Sequence, residues 1–175
     1  MNKLAFITGA TSGIGLATAK ALAENDYDLA LAARNEEKLY AVKNGFEKDY
    51  GVKVTPYPLD VRDRDAVQNT AGRCLSETGT PDVLINDAGL ARGLEPYSSD
   101  VDDIIQTIDT NIKGLFLVTR AFLPAMLKRN TGHIINLGST AGLYAYAGAA
   151  VYCSTKAAVK TFSDGIRIEV IDSDI

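Results

Sequence analysis

Short apolar runs alternate with longer helical patterns along the whole 175-residue chain, and this alternation limits the fold more than any other feature. Residues 3–7, 28–33, 52–57, 83–86 and 133–137 predict strands. Residues 13–24, 36–49, 64–77, 101–129 and 150–172 predict helices. A break is expected in the fourth helix near Asn111, and Pro124 should bend it or stay near its end. Strands separated by helices form parallel sheets with crossover connections, so the predicted class is α/β. The expectation is one domain over residues 1–175, long enough to bury a proper core. The polar stretch 96–103 reads as a loop entering a helix, with Ser99 or Asp100 as its cap.

Composition narrows the function classes. The net charge is −4 and no basic stripe suits a phosphate backbone, which argues against nucleic acid as a partner. Met1 to Lys3 lead directly into an apolar run too short to span a bilayer, with no cleavage signature after it, so no membrane partner is expected. Cys74 and Cys153 lack metal-ligand spacing and fit reduced thiols in a cytoplasm. The lone His133 reads as a surface residue.

The first strand runs into Thr8, Gly9, Ala10, Thr11, Ser12, Gly13, Ile14 and Gly15, a G-x-x-x-G-x-G turn that opens a helix. Glycines there let a diphosphate approach the backbone, and the helix start offers it unpaired N–H groups and positive dipole. A glycine-rich turn alone is often only a turn. Its place between the first strand and first helix favours a nucleotide. After the second strand stands Ala33, then Arg34, where a carboxylate would have held a ribose and repelled a 2′-phosphate. The cation points instead to NADP(H), although Glu36 and Glu37 could also claim it. Leu59, Asp60 and Val61 follow the third strand; Asp60 could accept the adenine amino group or cap a helix. The fourth strand ends in Asn86, Asp87, Ala88 and Gly89, small and polar where a nucleotide would lie.

The last predicted strand is followed by Ser139, and the helix beyond it carries Tyr152 and Lys156. Residues four apart share a helix face, and an ammonium beside a phenol favours the phenolate. A Tyr tuned that way can exchange a proton with a substrate oxygen near neutral pH, and the Ser139 hydroxyl could hold the same oxygen. Tyr-x-x-x-Lys arises easily by chance and weighs only in this context.

Together these segments resemble the short-chain dehydrogenase/reductase family in its NAD(P)-dependent form, over essentially the whole chain. Thr8 to Gly15 match its glycine motif; Asn86, Ala88 and Gly89 match its N-N-A-G motif; Asn111, Ser139, Tyr152 and Lys156 match its catalytic tetrad. The resemblance implies a Rossmann-type doubly wound parallel sheet of order 3-2-1-4-5. It implies hydride exchange between NADP(H) and a small-molecule alcohol or carbonyl substrate, with Tyr152 as acid/base and Ser139 orienting the substrate oxygen. Lys156 is then expected to tune Tyr152 and hold the nicotinamide ribose, and Asn111 to keep a water in the proton relay. Residues 86–96 and 132–156 resemble NADP-dependent dehydrogenases of serine and other small 3-hydroxy acids. Pairing of helices 111–129 and 150–172 across a two-fold axis, giving a homo-oligomer, is a further implication.

Two departures stand out. Asp87 replaces the second Asn of N-N-A-G, bringing a charge near the cofactor. The chain also ends at Ile175, without the sixth and seventh strands and substrate-covering segment of the family, so a fragment or a naturally short protein is expected. The competing function is a non-catalytic nucleotide-binding remnant that lacks the substrate lid.

Overall fold

The computed structural model describes residues 2–175; Met1, with which the N-terminal run begins, lies outside them. Five parallel strands form one sheet: β1 (Leu4–Thr8), β2 (Asp28–Ala33), β3 (Val54–Pro58), β4 (Val83–Asn86) and β5 (His133–Asn136). Their order is β3-β2-β1-β4-β5, the doubly wound arrangement expected. Thr8 pairs in register with Ala32 on one side and Asn86 on the other, so the C-terminal strand ends align along one edge of the sheet. Ligands of such sheets bind outside that edge, where the strand order reverses.

Both faces of the sheet are buried, and alternation decides which residue serves which layer. Phe6, Ala30, Ala32, Tyr57 and Leu84 pack against helices α3 (Arg64–Glu77) and α5 (Leu115–Arg129), through Val67, Cys74, Val118, Phe122 and Met126. Ala5, Ile7, Leu29, Leu31 and Ile85 face α1 (Gly13–Ala23) and α2 (Glu36–Tyr50), through Ala19, Ala23 and Leu39. Phe6 stacks tilted on Phe122 with ring centroids 4.4 Å apart. A fully buried side chain of this kind contributes about 1.5–3 kcal/mol.

The third strand begins two residues later than the sequence pattern predicts, which is 52–57, and takes in Pro58. It is an edge strand, where Pro56 and Pro58 can dispense with the ladder N–H. Helix 101–129 divides into α4 (Val101–Ile108), a π-helical turn (Asp109–Gly114) and α5, which places the expected break around Asn111. Asp100, rather than Ser99, caps α4 by accepting from the Asp102 N–H at 2.7 Å. Pro124 is carried inside α5, which runs on to Arg129 and ends on left-handed Asn130. The last helix, α6, covers Ala150–Glu169, shorter than the expected end at 172. It lies beside α5, with Phe116 and Phe162 stacked at 4.3 Å. His133 is exposed at the start of β5. Among the described residues no helix is long and apolar enough to cross a membrane.

Candidate active site

A cleft of about 830 Å³ opens at the C-terminal edge of the sheet, between the glycine turn after β1 and the ends of β2, β3 and β4. The turn depends on missing side chains. Gly9 and Gly13 have φ of 72° and 55°, in the left-handed region that disfavours other residues. A Cβ on Gly15 would stand 2.5 Å from both the Gly9 carbonyl oxygen and Asp87 Oδ2. Ser12 precedes α1 in extended backbone and its side chain makes no cap hydrogen bond to the first N–H groups of the helix. The turn is held to the sheet by Thr8, whose Oγ1 accepts from the Asp87 and Ala88 N–H groups, each at 3.1 Å. Asn86 points the other way and donates to Thr119 Oγ1 at 3.1 Å and Asn136 Oδ1 at 2.9 Å, tying β4 to α5 and β5.

Farther along the edge, Asn111 is buried in the π-helical turn. Its Oδ1 accepts from the Leu90 N–H at 2.8 Å; its amide donates to the Leu90 carbonyl at 2.8 Å and to Thr155 Oγ1 at 3.0 Å. Both amide hydrogens are therefore engaged, and the side chain clamps the loop after β4 onto α6. Ser139 caps a 3-10 turn (Thr140–Gly142), its Oγ accepting from the Ala141 N–H at 3.2 Å. A hydroxyl used as acceptor keeps its own hydrogen for an incoming oxygen. Gly142 lies on α6 so closely that a Cβ would come within 2.5 Å of the Lys156 carbonyl oxygen.

Tyr152 is half-buried on α6, and Lys156 Nζ lies 5.8 Å from its ring centroid. That ammonium donates to the Leu137 carbonyl at 2.6 Å, so it addresses the phenol through space and the strand end through a hydrogen bond. Burial pushes the Lys156 pKa down, and the Asp87 carboxylate partly offsets this. The site thus joins a glycine cradle suited to a diphosphate with a hydroxyl, a phenol and a buried ammonium on neighbouring turns.

The short chain dehydrogenase profile matches residues 3–175. The chain belongs to that family. It is 44% identical over 168 residues to the NADP-dependent 3-hydroxy acid dehydrogenase YdfG of Salmonella typhi, covering 95% of this chain and 66% of that relative. Among solved structures, serine dehydrogenase from Escherichia coli is 38% identical with a TM-score of 0.89, over 97% of this chain and 77% of the other. An alcohol dehydrogenase from the archaeon Thermococcus sibiricus, complexed with 5-hydroxy-NADP, superposes with a TM-score of 0.94 at 29% identity, over 99% of this chain and 73% of the other.

This member of the family gathers most of the residues singled out in its sequence into two adjoining groups; Ser139 and Tyr152 line neither cavity. Gly9, Thr11, Ser12, Gly13, Ile14, Arg34, Asp60, Val61, Ala88 and Gly89 line the cleft, with Gly15 buried beneath its floor. Asn86, Asn111 and Lys156 line a small adjacent cavity together with Val61 and Ala88. Asp60 does not cap α3. That role falls to Asp63, and Asp60 pairs instead with Arg62, which holds its carboxyl below the usual range. Sequence reasoning missed three residues. Lys38 stands beside Arg34 in the cleft, a second cation four residues on. Thr155, fully buried between Tyr152 and Lys156 in the sequence, receives the Asn111 amide; helical phase could have marked it as inward. Gly142 had no propensity signal, because its need is a contact made only in three dimensions.

Proposed function

We propose that the chain is a single NADP(H)-binding unit of an oxidoreductase that interconverts a secondary alcohol and a carbonyl, with small 3-hydroxy acids such as serine as the substrate class. The observation that carries this reading is Lys156, which stands beside Tyr152 and lines the small cavity adjoining the glycine cradle at the C-terminal edge of a parallel sheet. The names of the 3-hydroxy acid and serine dehydrogenases above support the substrate class. The glycine turn fits a diphosphate, since Gly9 and Gly15 leave the space that a Cβ would fill. Arg34 and Lys38 supply cations for a 2′-phosphate, Asp60 and Val61 lie where adenine would rest, and Asn86, Ala88 and Gly89 continue the floor. Tyr152 and Lys156 would hold the nicotinamide ribose.

When bound, NADP(H) supplies or receives the hydride at the substrate carbon. Tyr152 passes the accompanying proton between its hydroxyl and the substrate oxygen. Ser139 donates its free hydrogen to that same oxygen and orients it. The Lys156 ammonium stands 5.8 Å from the Tyr152 ring centroid, beside the phenol that exchanges the proton. Asn111 contributes by fixing α6 against the Leu90 loop; with both amide hydrogens engaged, a relay water would need other atoms of the π-helical turn.

The same reading extends to the setting. Free buried thiols at Cys74 and Cys153 suit a reducing cytoplasm. The exposed apolar side chains Phe116 and Leu127 on α5 and Ile168 on α6 suit a homodimer through helices 111–129 and 150–172.

The test is turnover with NADPH or NADP⁺ across a panel of small 3-hydroxy acids and their keto partners, beside a cofactor-fluorescence titration. Tyr152→Phe should keep cofactor binding and lose turnover by about 10²–10⁴-fold. Near-normal turnover in that variant would remove Tyr152 from the mechanism. Cofactor binding with no turnover on any substrate would leave a nucleotide-binding unit alone.

A further inference from the structure

Asp87 places a carboxylate in the wall of a cleft proposed to receive a polyanion. It lies at the end of β4 and lines the cleft with the glycine turn. Its Oδ2 is wedged beneath that turn, 3.0 Å from where a Cβ of Gly9 would stand and 2.5 Å from that of Gly15. Its own N–H is bound to Thr8 Oγ1, which fixes the backbone of Asp87 at the sheet edge. The carboxylate accepts from the Gly15 N–H at the start of α1.

We infer that Asp87 makes cofactor binding proton-linked: the cleft takes up one proton from solvent, on the Asp87 carboxylate, when NADP(H) enters. The inference rests on the cofactor-binding reading above. A diphosphate seated on the glycine turn brings negative charge against a half-buried carboxylate, and like charges in one site cannot both stay ionised cheaply. Protonation removes the repulsion.

The surrounding charges leave the carboxylate poorly compensated. Lys156 on α6 is the cation whose charge reaches it and pulls its carboxyl back down in part, while the same ammonium donates to the Leu137 carbonyl. Arg34 and Lys38 line the same cleft from the end of β2 and from α2. Asp60, after β3, is paired with Arg62. The glycine turn and β1 present only Thr8, Thr11 and Ser12, and the π-helical turn presents Thr110. Burial alone pushes the Asp87 carboxyl above the usual range before any anion arrives.

Linkage fixes the sign. With the cofactor-bound pKa above the free one, binding is tightest below the free pKa. It weakens as pH rises between the two values and levels off above the bound one.

The experiment compares NADPH dissociation constants of the wild-type chain and Asp87→Asn from about pH 5 to about pH 8. The ratio of the two cancels titration of the 2′-phosphate itself. The wild-type to variant ratio should rise with pH, reaching about tenfold for each unit by which the cofactor raises the Asp87 pKa. A ratio that stays constant while both proteins bind overturns the inference and leaves the cofactor site standing. Calorimetry of NADH, which lacks the 2′-phosphate, in buffers of different ionisation enthalpy needs no variant. Proton uptake by the wild-type chain supports the inference, and its absence overturns it even where Asp87→Asn fails to fold. No saturable binding of either cofactor would overturn the cofactor-site reading, and the inference with it.

Discussion

A guanidinium at the end of β2 can pair with the carboxylates of the next helix or wait for a phosphate. None of the ion pairs among the described residues engages Arg34, although Glu36 and Glu37 follow it closely. Asn35 instead caps α2 by accepting from the Lys38 N–H at 2.8 Å, and Arg34 stays in the cleft. Replacing Arg34 with Ala should weaken NADP(H) binding by about 1.5–3 kcal/mol, the scale of a hydrogen bond to a charged group. NAD(H) binding should barely move. Paired titrations of both cofactors check this, and equal losses would remove the 2′-phosphate role. The Ala33-Arg34 pair was legible because charge alone suggests a partner. Asp60 was only half legible: its place beside the cleft follows from the strand end, but its pairing with Arg62 and the passing of the cap to Asp63 depend on loop geometry.

The strand-helix alternation carried the fold, since its periods reflect which residues face the layers; β2, β4 and α3 have the bounds read from sequence. The π-helical turn was visible only as a break, because an extra residue in a turn leaves no mark on composition. The 3-10 turn after β5 was not legible at all. It rests on α6 through Gly142, whose absent side chain lets the turn carrying Ser139 approach the backbone of Lys156. Gly142→Ala should force the two elements apart, since the nearest atoms are backbone and cannot rotate away. Overpacking of this kind costs about 1–3 kcal/mol. Displacing Ser139 from Tyr152 should also lower turnover by roughly 10²-fold. Urea unfolding and steady-state rates measure the two effects, and a variant normal in both would mean that the turn has room to shift.

At the scale of the molecule, the apolar side chains left outside bear on assembly. Phe116 is 41% exposed and Leu127 41% on α5, with Ile168 71% exposed near the end of α6. Helices packed across a two-fold axis would cover such side chains. Light scattering at micromolar concentration should give a dimer, and Phe116→Asp should shift it toward monomer. A monomer in the unmodified chain would count against this surface. Nothing in the residue pattern alone could decide it, because a buried core stripe and a covered interface look the same in sequence.

The π-helical turn also sets how much length change the chain tolerates. A helix advances about 100° per residue, and a π turn takes in one residue more than an α turn while the side chains beyond it keep their direction. In this protein the later residues include Leu115, Val118, Phe122 and Met126, the side of α5 that closes the core over β1 and β4. Removing one residue from 109–114 would let the turn close to an ordinary α turn, with those side chains still on the sheet. It would also carry Asn111 off its clamp on Leu90 and Thr155. Substitutions along these six residues are a matter of local chemistry. Their number is a matter of the Asn111 clamp, which joins the loop after β4 to the helix that carries Tyr152 and Lys156.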